Sequence, residues 1–145
     1  MKTSILILVA SFTISATTWL TDFNNAKKIA AEKHQLILLN FSGSDWCGPC
    51  MRLKKEIFES AFFESFADSN LVLVNADFPR NKKNQLPKEQ ETQNEKLADE
   101  YNPNGQFPLT LLLNANGKII KTWDGFPNMK PEDFVLQIKQ IYHAN

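Results

Sequence analysis

The chain has 145 residues, 43% hydrophobic and 22% charged, with five glycines and seven prolines. That length suits a single domain, and the composition excludes disordered, collagen-like and disulfide-dense classes. Sixteen Lys and Arg balance sixteen Asp and Glu. No basic stripe is therefore present to displace counterions from a nucleic acid, and nucleic-acid binding is excluded.

Met1-Lys2 carries one positive charge, Ile5 to Thr18 is uncharged and mostly apolar, and Ser15, Ala16 and Thr17 are small enough for a signal peptidase. Residues 1–17 thus read as an export signal, with an uncleaved anchor as the competing reading. A span needs about 20 predominantly apolar residues, and Ser and Thr interrupt this stretch. Export places the protein in a periplasmic or secreted setting. Residues 18–145 form the remaining domain.

Thr21 or Asp22 caps a first helix that presents Phe23, Ala26, Ile29 and Ala30 on one face. Leu36 to Phe41 is a short apolar run of the kind that fills a doubly covered strand. Pro49 opens a helix through Leu53, Ile57 and Phe58, which breaks and resumes toward Phe62, Phe63 and Phe66 as a core stripe. Leu71 to Ala76 is a second buried strand.

Between Pro79 and Glu95 almost nothing is apolar, so 79–95 reads as a solvated insertion, with Lys82-Lys83 on a solvated face. A short helix follows over Asn94 to Tyr101. Pro108 to Leu113 and Lys118 to Trp123 make two strands joined by the Asn116-Gly117 turn. A last helix starts at Pro131 and buries Phe134, Leu136, Ile138 and Ile141. The order predicts an α/β domain of three layers, α/β/α, around a mixed four- to five-stranded sheet. Sites in such sheets lie beyond the carboxyl ends of strands, which is where Cys47 falls.

The chain has two cysteines, and Cys47-Gly48-Pro49-Cys50 holds both. Cys47 lies at a helix start, where unpaired N–H groups and the helix dipole favour an anion. A free thiol titrates near about 8.5, and such settings lower the value to roughly 3.5 to 7.5. Gly48 allows close approach, Pro49 stiffens the first turn, and Cys50 stands one turn on as the resolving thiol. Asp45 reads as a solvated loop charge that slightly opposes the thiolate. A purely structural disulfide of this span would close a tiny loop and stabilise little. Zinc would need further ligands, and His34 and His143 are at the wrong spacing. The motif also lies on an exposed turn, unlike inert buried thiols.

Trp46-Cys47-Gly48-Pro49-Cys50 resembles the active-site motif of the thioredoxin family. The likeness extends to the strand at Ile37 to Phe41, to Phe107-Pro108 followed by Leu109-Thr110, to Asn116-Gly117 and to Gly125. Trp19 to Ala26, Asp77-Phe78-Pro79 and the insertion are similar to exported members. The resemblance implies the thioredoxin fold and dithiol–disulfide exchange without an external cofactor. Cys47 would be the nucleophile and Cys50 the resolving thiol, and a cis Pro108, with Phe107 and Trp46, would meet an extended substrate.

The family's buried Asp before the motif is replaced by Asn40, with one extra residue before Cys47, and its Lys partner by Leu73. Leu109 stands where Thr is usual. Neither Asn40 nor Leu73 can accept a proton at neutral pH. The implied protein is a monomer that reduces protein disulfides and draws electrons from a membrane thiol–disulfide reductase. Oxidase or isomerase work, or client binding without turnover, are the alternatives.

Overall fold

A computed structural model describes residues 17–144. The segment read as an export signal, residues 1–17, lies outside the described residues apart from Thr17. In chain order the elements are β1 (Trp19–Leu20), α1 (Phe23–Lys33), β2 (Leu36–Ser42), α2 (Gly48–Leu53), α3 (Ala61–Asn70), β3 (Leu71–Asp77), α4 (Lys88–Tyr101), β4 (Leu109–Leu113), β5 (Ile119–Asp124) and α5 (Pro131–Ala144). A π-helical turn over Lys54–Phe58 continues α2, and a 3-10 turn over Lys82–Asn84 precedes α4.

The five strands form one sheet in the order β1-β3-β2-β4-β5. β2 is central, parallel to β3 and antiparallel to β4, and β5 closes the hairpin. β1, unassigned from sequence, is a two-residue edge strand parallel to β3. Alternation along the strands splits the core into two layers. Ile37, Leu39, Phe41, Val72, Val74 and Ala76 face Phe23, Ala26, Ala30 and Leu97. Leu38, Leu71, Leu73 and Leu112 face Leu53, Ile57, Phe63, Phe134 and Ile138. Helices thus cover both faces, as the three-layer reading requires.

Three sequence expectations change. α4 begins at Lys88, so its first half occupies what reads as a solvated insertion. Glu89 and Glu91 favour its N-terminal turn, and the turns lacking apolar residues are held by amides instead. Gln90 Nε2 donates to Thr21 O at 3.0 Å and Asn94 Oδ1 at 2.9 Å, and Asn94 Nδ2 donates to Asp77 O at 2.9 Å. In α5 it is Val135 that is buried, whereas Leu136 is 52% exposed. Phe62 also lies at the surface rather than in the core stripe, beneath the Lys139 ammonium.

Candidate active site

β2 and β3 run parallel, so their carboxyl ends open together at one edge of the sheet. The chain leaves β2 at Ser42 and turns through Gly43 to Asp45 into α2. Gly43 O accepts the amide of Cys47 at 2.9 Å and that of Trp46 at 3.3 Å. Cys47 is the N-cap of α2 with extended backbone, and its Sγ accepts the amide of Cys50 at 3.3 Å. A side chain there takes up one of the N–H groups that a helix start leaves unpaired.

Cys47 and Cys50 form a disulfide, with their Cα atoms 5.2 Å apart. Gly48 and Pro49 are exposed, as an exposed turn requires, but Cys47 and Cys50 are only 4% and 5% exposed. The pair is therefore sheltered at the turn rather than displayed on it.

Trp46 is fixed on three sides. Its indole Nε1 donates to Phe78 O at 2.7 Å, its ring meets the edge of Phe107 at 5.4 Å, and the Arg80 guanidinium lies 3.7 Å above its centroid. Gly43 makes room for the ring, because a Cβ there would fall 2.2 Å from Trp46 Cε2. Phe107 packs on Phe78, and Phe78 stacks on Phe41 in the core. The Phe107–Pro108 peptide bond is cis and Pro108 is buried. Its loop is held by the buried Asn102, which exchanges two 2.8 Å hydrogen bonds with the backbone of Gln106. Gly125, beyond β5, donates its amide to Pro108 O at 2.8 Å.

Asp45 is not a free loop charge. Its carboxylate accepts the amides of Arg80 and Asn81 and the side chain of Asn84, each at 2.9 Å. These bonds, the Arg80 amide foremost, hold its carboxyl down at about 2.

Behind the cysteines lies a cavity of about 510 Å³, bordered by Cys50, Asn40, Ser42, Asn75, Trp19 and Phe58 among others. Strand register puts Asn75, Asn40, Thr110 and Trp123 side by side across four strands. Asn40 Nδ2 donates to Asn75 Oδ1 at 2.9 Å, and Thr110 Oγ1 donates to Asn40 Oδ1 at 3.0 Å. The residue beside Asn40 is therefore Asn75. Leu73, two residues earlier, lies in the apolar layer opposite Leu38. The Ser42 hydroxyl lies 3.1 Å from Asn75 Oδ1 and 3.2 Å from Asp77 Oδ1, linking this row to a carboxylate. Leu109 is buried beside the cis bond.

Residues 23–141 match the thioredoxin-like domain family. The chain belongs to that family. The disulfide bond reductase DsbH of Chlamydia pneumoniae is 36% identical to it over 96 residues, which is 66% of this chain and 56% of that protein. The thioredoxin-related protein DsbJ of the same organism is 37% identical over 60 residues, 41% of this chain and 17% of DsbJ. The chain thus spans little more than half the length of the first of these curated relatives. A solved DsbH oxidoreductase superposes with a TM-score of 0.79 at 28% identity, covering 96% of this chain and 93% of that one. The thioredoxin-like redox pair is intrinsic to the polypeptide and calls for no cofactor. Among the described residues no three His, Cys, Asp or Glu side chains gather to hold a metal, and no helix is long and apolar enough to cross a membrane.

Phe78, Arg80, Asn75, Ser42 and Thr110 were not singled out from sequence as parts of the site. Period-two alternation from Leu38 through Asn40 could have revealed Ser42 as a polar continuation of a buried face. Nothing local could have shown Arg80 resting on Trp46, because that contact depends on a turn closed by Asp45.

Proposed function

We propose that this protein is an exported thiol–disulfide oxidoreductase that reduces protein disulfides through Cys47 and Cys50. The carrying observation is the Cys47–Cys50 disulfide at the start of α2, with the nucleophile's sulfur on a backbone N–H. In the reduced form the Cys47 thiolate attacks one substrate sulfur, and the other leaves as a thiolate. Cys50, after losing its proton, attacks Cys47 Sγ and expels the second substrate thiolate. Two electrons pass to the substrate, and the protein ends as the disulfide. Trp46, Phe107 and Pro108 border the approach and bind the extended substrate, while Gly48 and Pro49 leave it open.

The Gly-Pro pair between the cysteines favours the reducing direction, and the similarity to a protein named disulfide bond reductase supports it. Residues 1–17 direct the chain out of the cytoplasm, where a membrane thiol–disulfide reductase returns the electrons to a monomeric protein. Equilibrating the protein with glutathione buffers while following Trp46 emission tests the direction. A potential near about −270 mV supports an electron-fed reductase, whereas one between about −180 and −120 mV assigns isomerase or oxidase work. Failure of reduced protein to cleave any disulfide, with Cys47→Ser retaining full client binding, would establish a binding module instead.

A further inference from the structure

The stretch after Pro79 carries no apolar pattern, yet the structure gives it a fixed shape against the motif. Asp45, two residues before Cys47, ties down the amides of Arg80 and Asn81 and the side chain of Asn84. That tether uses the backbone of Arg80 and leaves its side chain to lie over Trp46, with the guanidinium carbon Cζ 3.7 Å from the ring centroid. Trp46 is held at its edge by the hydrogen bond from Nε1 to Phe78 O and is packed against Phe107, so the guanidinium rests on a ring fixed in place. Stacking occupies the face of a guanidinium and leaves its N–H edge open. Among the described residues no carboxylate pairs with Arg80, and the exposed Lys82 and Lys83 follow it on the same loop.

We propose that Arg80 is a specificity-determining residue that binds a carboxylate of the incoming polypeptide, so that the protein prefers disulfides flanked by Asp or Glu. A stacked guanidinium presents two parallel donors that match a carboxylate, which a flexible ammonium does not. Lys82 and Lys83 add attraction of longer range that salt screens. The assignment rests on the reductase reading and names the substrate class of that site.

The test uses disulfide peptides that differ only in the residue beside the cysteine, Glu, Gln or Lys, reduced by the protein with dithiothreitol as terminal reductant. The expected order of kcat/KM is Glu, then Gln, then Lys. The span is roughly three- to tenfold at low salt, carried by KM and shrinking as salt rises. Arg80→Gln should bring the ratio of Glu to Lys peptide close to one, Arg80→Lys should keep part of it, and Arg80→Glu should invert it. A merely structural role for Arg80 predicts equal losses on all three peptides and no inversion. An unchanged ratio in Arg80→Gln, or no preference in the wild type, overturns the proposal. If none of the peptides is reduced, it is the reductase reading that fails.

Discussion

Asn40 uses both ends of its side-chain amide, donating to Asn75 Oδ1 at 2.9 Å and accepting the Thr110 hydroxyl at 3.0 Å. It is 6% exposed and borders the cavity shared with Cys50. A carboxylate there could keep only the accepting half. Asn40→Asp should therefore destabilise the fold by about 1–3 kcal/mol near neutral pH. Burial raises the introduced carboxyl above its unfolded value of about 3.9, so the deficit is small below that value and grows as pH rises through the folded pKa. Urea midpoints at several pH values measure this, and a deficit independent of pH would contradict it. Once ionised, the same group offers Cys50 a nearby proton acceptor, so release of a Cys47 mixed disulfide should quicken near neutral pH.

The order of attack is separable from the direction of electron flow. Cys50→Ser should accumulate a covalent adduct between Cys47 and a substrate cysteine, visible by mass spectrometry. Cys47→Ser should form none, with at least about a hundredfold loss of turnover, since the thiolate is the nucleophile in exchange. Adducts on Cys50 in the second variant would reverse the assignment.

Asp45 ionises at about 2 because the Arg80 amide, then the Asn84 side chain, hydrogen-bond its carboxylate. A depressed folded pKa means that the stabilisation is complete above the unfolded value and fades as pH falls toward about 2. Hydrogen exchange at the Arg80 and Asn81 amides reads it directly. Protection should weaken between about pH 4 and 2 in the wild type, and should be lost at neutral pH in Asp45→Ala. Equal protection in that variant would show that the loop holds its shape without Asp45.

Gly43→Ala places a Cβ 2.2 Å from the Trp46 ring, and an indole packed on Phe107 and bonded to Phe78 O has little freedom to yield. We expect about 1–3 kcal/mol of destabilisation, as for other overpacked sites, and a shift in Trp46 emission. Unchanged emission with wild-type stability would place the ring elsewhere.

The buried strands and the capped helices were legible because apolar runs, Asp22 and Pro131 are local signals. So was the cysteine motif, whose four residues carry their own chemistry. The first turns of α4 were not, since Gln90 and Asn94 secure them by amide hydrogen bonds that leave no hydrophobic period. At about 3.6 residues per turn Leu136 falls about 200° round α5 from the buried Phe134, on the opposite face, and Phe62 falls about 100° round α3 from the buried Phe63, outside the inward stripe. The clamp of Asp45 on Arg80 joins residues 35 apart in the chain. No window of local pattern spans that distance.

The direction of β1 bears on how the protein could be attached. β1 runs parallel to β3 with Trp19 opposite Leu73, and Thr17 and Thr18 border a hollow with Gln35, Ala67 and Leu71, at the start of the long strands. The disulfide lies past their other end, and a seven-residue strand such as β3 spans roughly 20 Å. The polypeptide thus enters the domain on the side remote from Cys47. On the proposed reading of residues 1–17 as an export signal, kept or removed, the Cys47–Cys50 end of the domain would in either case stay unencumbered.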